Sequence, residues 1–495
     1  MKQFILILLL LVSLFRPGMS TADGLTDRAP SCRVFLDGEE LTAVYETAVS
    51  HQRFWTENPV LSGTPVAVAV HDGPCRVEIL LSGREAETAL LRPLVAGIVP
   101  EISEGRVVFD LPGPGNYTVE FNGRPEEALH LFISGTDPQR PSPDDPKVRF
   151  FGPGEHRDQL ITVRSGETIW LDEGCVLYGQ ICCGLGKNFT IAGPGVLCGS
   201  IYDRWQDTIV PVNLSNCSDF TIRDITILDP SAWTVNLLKC RNAEIGNVKI
   251  VSARSNSDGF TFQSCEDITV RNCFVRSWDD SLVVKGYGGD ARGITFDTCT
   301  LWTDLAQSCE IGYETRARVI EDITFRNITV LHAFHKPVIS IHNSDSAAVR
   351  HVLFDHIVVE DAQMGLGDGT PYLIDFTTLE SRWSATLKRG TIDDVTVRDV
   401  RVLSGKRPAV RIWSFDENSR VDHVTISGLN LLGEEITSFS QLTYEAGPAN
   451  GENIRILPPS PGRFRPYTAD GYCHPADQHR RCQIKRRCRI DFGWI

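Results

Sequence analysis

Residues 220–227 read FTIRDITI. The same figure returns as AEIGNVKI from Ala243, ITVRNCFV from Ile268, ITFDTCTL from Ile294, ITFRNITV from Ile323, VLFDHIVV from Val352, VTVRDVRV from Val395 and VTISGLNL from Val424. A weaker first copy, FTIAGPGV, begins at Phe189. Successive copies start 31, 23, 25, 26, 29, 29, 43 and 29 residues apart. Each octet alternates apolar and polar residues, as a half-buried strand does, and bends near a central Asn, Asp or Gly before resuming. A second strand recurs between the octets: TVNLLKC ending at Cys240, GFTFQSC ending at Cys265, SLVVKGY from Ser281, CEIGYET from Cys309, PVISIHN from Pro337 and AVRIWSF from Ala409. No helical pattern connects the copies. A strand-only repeat of this length means a solenoid or a propeller, and a propeller blade needs four antiparallel strands in about 40–45 residues. Two or three short strands per repeat fit a right-handed parallel β-helix, in which each coil buries its inward side chains against its neighbours. The 43-residue spacing after Val352 marks a loop, carrying MGLGDGTPY, of the kind that sets specificity.

Outside the repeats the pattern changes. From about Ser31 to Ser134, short strand patterns such as TPVAVAV and ALHLFIS alternate with turn residues, which predicts a small β-sandwich. The Pro- and Asp-rich SGTDPQRPSPDDPK that follows reads as a linker. The first residues combine Lys2, an apolar run and small residues, the parts of a secretory signal peptide; the run is short for a membrane span, although an uncleaved anchor is the alternative. The expected organisation is a signal peptide (1–22), an N-terminal sandwich (23–135), a linker (136–147), a β-helix (148–457) and a basic Cys-containing tail (458–495). A secreted or periplasmic monomer, with no membrane association after cleavage, is expected. With 63 Asp+Glu against 49 Lys+Arg, the chain lacks the basic footprint of a nucleic-acid binder. Its 15 cysteines match no disulfide-rich mini-domain and no zinc spacing. Cys32 and Cys75 are candidates to pair. Cys217, Cys240 and Cys265 fall at one coil position, as do Cys273 and Cys299, and are expected to stack as buried thiols.

The chemistry concentrates in RSWDDSLVVKG, which begins at Arg276. Asp258 lies seven residues before Cys265, as Trp233 lies seven before Cys240, so Asp258 enters the second strand of one coil. Asp279 and Asp280 enter that strand on the next. Coils stack at about 4.8 Å, which brings the three carboxyls together at one corner. Mutual repulsion raises at least one pKa, and a protonated carboxyl beside an ionised one suits acid–base catalysis. A solvated turn is the plainer alternative, since Asp is common in turns.

NSDGF, from Asn256, followed by WDDSLVVKG resembles the active site of glycoside hydrolase family 28, the polygalacturonase family, and DPSAWTVNLLKCRN, from Asp229, is similar to that family's Ser-Pro-x-Trp coil. The resemblance covers about Gly152 to Leu432; a sandwich ahead of a β-helix also resembles family 49, the dextranase and isopullulanase family. The resemblance implies that Asp279 is the general acid, that Asp258 and Asp280 activate the attacking water, that the anomeric centre inverts and that neither metal nor other cofactor is needed. It also exposes departures. Gln307 stands where the family has the His of a Gly-His-Gly, and Ser340 and His342 stand where an Arg and a Lys bind uronate. Glu310 and Glu314 face outward on CEIGYET, and an acidic groove repels an anionic polymer. A neutral or weakly charged polysaccharide or oligosaccharide is therefore expected rather than polygalacturonate.

Gln307, Glu310, Lys285, Ser340, His342 and Trp233 are the expected substrate-binding residues, with Trp278 either stacking on sugar or packed in the core. His332, His335 and His342 lack metal-ligand spacing. Two rival readings stay open: a non-catalytic glycan-binding solenoid, and a β-helix polysaccharide lyase, which would want calcium-binding carboxylates and a cationic base.

Overall fold

A computed structural model describes residues 24–47, 63–203, 207 and 209–459. The expected leader, and Cys473, Cys482 and Cys488 of the basic tail, lie outside the described residues.

The repeats form the expected parallel β-helix. Each strand pairs in parallel with its counterpart one coil on: Ser218–Arg223 with Arg241–Gly246, and that strand with Glu266–Arg271. The octet is two short strands joined by a bend. At that bend Asp224, Asn247, Asn272, Thr298, Asn327, His356, Asp399 and Gly428 all have φ between 50° and 68°. Short polar side chains tolerate this left-handed conformation because they can bond locally. They also bond along the stack, Asn247 Nδ2 donating to Asp224 Oδ1 at 2.9 Å. Each coil thus has three faces, two from the octet and one from the second strand, which we call the floor.

Inward residues make one continuous core. Phe296, Phe325 and Phe354 stack with centroids 5.0 Å apart, close to the interstrand spacing. Cys217, Cys240 and Cys265 are buried free thiols; their sulfurs lie 3.5, 3.5 and 3.3 Å from the carbonyls of Cys183, Leu214 and Leu237. Cys32 and Cys75 are free as well, which corrects the expected pairing. Their strands run antiparallel with Cys32 opposite Leu81, so the two thiols sit at opposite ends of the pair.

The described strands between Cys32 and Ser134 form two five-stranded sheets packed face to face. The segment after Ser134 is tied down rather than free: Arg140 pairs with Asp172 and Arg223 with Asp137. The sandwich docks on the second octet face. Phe132 and Val66 pack there against Phe274, Trp302 and Phe334. Buried ions complete the seam. Arg92 bonds Glu120 at 2.5 Å and Glu360 at 2.8 Å, Glu360 also accepts the Leu94 N–H, and Glu120 meets His332 at 2.6 Å. Arg276, fully buried, stacks 4.3 Å over Trp302 and contacts His130.

The sandwich therefore covers one face and leaves the floor uncovered. Removing one member of a buried ion cluster leaves the others desolvated, so Glu360→Ala is expected to cost about 3 kcal/mol. The urea midpoint of the purified protein checks this.

Candidate active site

Three successive corners meet where the chain enters the floor. Asp258 precedes strand Phe260–Gln263, Asp279 and Asp280 precede Leu282–Tyr287, and Gln307 precedes Cys309–Arg316. The corners themselves are laddered by backbone bonds: Thr234 N–H to Asp258 O at 3.1 Å, Gly259 N–H to Asp280 O at 2.8 Å, and Ser281 N–H to Gln307 O at 2.9 Å. Gly259 is required at its position, because a Cβ there would lie 2.4 Å from the Ser281 carbonyl oxygen. The three carboxyls open into a cleft of about 590 Å³. Trp233, Asn256, Trp278, Leu305, Gln307 and Lys336 line it from the entering corners, Lys285, Tyr313 and Glu314 from the floor, and Ser381, Arg382 and Trp383 from a turn that leaves the floor.

The side chains are held differently. Asp258 accepts from Thr261 Oγ1 at 3.3 Å, and Asp280 accepts the Gln307 N–H at 3.1 Å. Asp279 accepts the Asp280 N–H at 3.1 Å. Burial, then the charge of Asp279, pushes the Asp258 carboxyl well above the ordinary carboxylate range; Asp280 is pushed up in the same way, with Asp258 and Glu310 adding to it. Burial raises Asp279 too, but Lys285 and the N–H groups of Asp280 and Asn256 oppose the rise. Lys285 bonds Glu314 at 2.9 Å and lies 5.8 Å from the Trp233 ring centre. Burial works against its charge, yet Asp258, Glu314 and Asp280 hold it above the usual lysine value. One ammonium thus stands beside a cluster of acids whose three Asp carboxyls burial pushes above the ordinary range.

Trp233, Trp278, Lys285 and Gln307 line the cleft together with the three Asp residues. Glu310, Ser340 and His342, expected as sugar contacts, are not among its lining residues. All three are buried and bonded to one another: Glu310 takes the Ser340 hydroxyl and lies 2.9 Å from His342 Nδ1. His342 Nε2 meets Asp375 at 3.1 Å, and Asp375 is clamped by Arg411 at 2.8 and 2.6 Å. Tyr313 stacks on the His342 ring at 4.4 Å and forms the cleft surface in its place. Burial opposes charge on His342, but Glu310 and Asp375 outweigh it and hold its pKa up at about 10. The three histidines occupy separate places, His332 beneath the sandwich and His335 on the Leu366 carbonyl.

Tyr313, Lys336, Arg382 and Trp383 were not singled out from sequence. Lys336 was findable: Ser308 N–H bonds the Pro337 carbonyl at 3.2 Å, so Lys336 stands one coil beyond Gln307. Trp383 carries no periodic signal. The long octet spacing holds two loops, and the one reaching the cleft is 379–390 rather than the MGLGDGTPY turn, which packs beside His335.

A buried carboxylate cleft on the floor of a parallel β-helix is the arrangement of a carbohydrate-active protein. Residues 198–447 match the model of glycosyl hydrolases family 28, and the chain belongs to that family. It is similar to a probable rhamnogalacturonase B of Aspergillus fumigatus, 24% identical over 38% of this chain and 34% of that one. A probable polygalacturonase of Vitis vinifera is 26% identical over 37% of this chain and 33% of its own length. The chain thus spans about a third of the length of these curated relatives. In fold it is similar to Dex49A from Penicillium minioluteum, with TM-score 0.56 at 15% identity, over 89% of this chain and 96% of that one.

The raised Asp280 pKa sets a stability prediction. A group raised in the folded state contributes fully below its unfolded value, about pH 4, and that contribution is lost as pH rises through the folded value. Asp280→Asn removes the loss and can still accept the Gln307 N–H. The variant is expected to melt a few degrees above the parent near neutral pH, the gap closing toward about pH 4, as read by calorimetry across pH.

Proposed function

We propose that this protein is a secreted glycoside hydrolase that cleaves a polysaccharide or oligosaccharide with inversion at the anomeric carbon. The convergence of Asp258, Asp279 and Asp280 in one cleft carries the reading. Asp279, at the centre of the corner ladder, protonates the departing glycosidic oxygen. Asp258 and Asp280 hold and deprotonate the attacking water from the other side of the sugar ring. In the free cleft, Lys285 and the N–H groups of Asp280 and Asn256 favour charge on Asp279. Catalysis needs the proton on Asp279 and the charge on Asp258 and Asp280 when substrate is bound, a distribution available to carboxyls that titrate together. Lys285 keeps one carboxylate ionised throughout, and Trp233 and Trp278 offer apolar faces to the sugar.

A neutral or sparsely charged glycan fits better than polygalacturonate. The floor positions that would carry an Arg and a Lys hold Ser340 and His342. The His342 charge is neutralised from below by Glu310 and Asp375 and covered by Tyr313. The unlike charges that remain in the cleft, Lys336 and Arg382 against Glu314 and the Asp cluster, tolerate an isolated acidic unit but provide no repeated set of cations for a uniformly charged chain. The export reading rests on the leader-like first residues and on relatives named as a probable rhamnogalacturonase and a probable polygalacturonase.

Incubation with rhamnogalacturonan, dextran and polygalacturonate, with anomers followed by NMR from the first minutes, tests the reading. Inverted product from a glycan other than polygalacturonate is expected. A retained anomer or an unsaturated product would overturn the mechanism, and cleavage of polygalacturonate alone would overturn the specificity. Asp279→Asn is expected to lower kcat about 10²–10⁴-fold with the melting profile of a folded protein.

A further inference from the structure

Between strands Tyr372–Thr378 and Thr391–Val402, residues 379–390 leave the coil and rise beside the cleft. Polar braces hold this loop. Asp345, fully buried, accepts the N–H groups of Ala385 and Thr386 at 2.7 Å each and the Thr386 hydroxyl at 2.9 Å. Arg389 reaches back to the Ser344 and Thr386 carbonyls, and Ser384 Oγ bonds the Ser344 carbonyl at 2.7 Å. The exit is closed by Gly390, where a Cβ would lie 1.8 Å from the Ala347 carbonyl oxygen. These three bonds, all accepted by Asp345 Oδ1, fix the loop backbone before any ligand arrives.

The loop holds an aromatic ring at water. Trp383 is 46% exposed and lines the cleft beside the carboxyl cluster. The Arg382 guanidinium stacks 4.6 Å over the same indole. Arg382 lines the cleft as well, and among the described residues it has no carboxylate within ion-pair range. A scattered surface Trp needs no explanation, but one presented by a braced loop inside the cleft does. A pyranose ring offers the matching chemistry: an apolar C–H face for the indole and hydroxyl oxygens for the guanidinium.

We propose that Trp383 and Arg382 form a stacking subsite for a glycan unit away from the scissile bond, with Asp345 as the positioning residue that holds it. The proposal rests on the cleft binding a glycan and goes beyond the hydrolytic reading by assigning chain-length dependence to this loop. Substrates long enough to reach Trp383 gain binding energy that shorter ones lack, and the gain appears in KM.

Two measurements test it, on rhamnogalacturonan and dextran oligosaccharides of graded length. In steady-state kinetics, Trp383→Ala is expected to lower kcat/KM about tenfold for the longest oligosaccharides and progressively less for shorter ones, through KM, with Trp383→Phe restoring most of it. Asp345→Ala is expected to weaken long-chain binding in the same direction. An equal loss at every length, or none, overturns the subsite. Calorimetric titration of Asp279→Asn, with and without Trp383→Ala, reads binding without turnover. If the chains bind but the parent cleaves none of them, the hydrolase reading fails while the subsite is still decided by the Trp383 effect on Kd. If Asp279→Asn binds neither series, the subsite is overturned.

Discussion

The parallel register between neighbouring coils is the constraint on which the rest depends. Phe260 pairs with Leu282, and Leu282 with Cys309, so whatever precedes each strand is carried to the same corner one interstrand spacing further on. The corners are themselves part of the ladder, through the bonds joining Asp258, Asp280 and Gln307 backbone groups to adjacent coils. A slip of one residue would turn inward side chains outward and separate the acids. Desolvating three carboxyls is unfavourable locally, and the continuous core beneath, with its stacked Phe and Cys columns, supplies the rigidity that keeps them together.

Two ways of burying charge coexist on opposite faces. Under the sandwich, Arg92, Glu120, Glu360 and His332 are matched partner for partner, and the pair of domains closes over them. At the corner of the three Asp residues the matching is incomplete: Lys285 stands against Asp258, Asp280 and Glu314 together. The matched cluster fixes an interface, whereas the unmatched one leaves carboxyls whose pKa burial raises. The Glu310–His342–Asp375–Arg411 chain lies between these cases. It is electrically balanced, yet Glu310 lies near enough to Asp280 to raise its pKa.

Much of the fold was legible in sequence because a β-helix is nearly one-dimensional. Octet periodicity reported the strands, the central Asn, Asp and Gly residues reported the bends, and counting back from Cys240 and Cys265 placed the acids at one corner. Thr298 and His356 take the same bend without being natural candidates, since the register of their neighbours imposes it.

Sequence alone thus determined the coil, its period and the triad, since each follows from local alternation and from distances counted along the chain. Tertiary structure decided which outward side chains line the cleft. On the floor, outward means beside the outward residue of the next coil, so Glu310, Ser340, His342 and Asp375 satisfied one another and disappeared under Tyr313. Whether Cys32 could reach Cys75 depended on an antiparallel register that composition does not encode. Trp383 reached the cleft because Asp345, nearly forty residues earlier in the chain, folded the loop toward it. The physical reason is common to all three: periodicity specifies the backbone locally, while burial and polar satisfaction depend on neighbours distant in sequence.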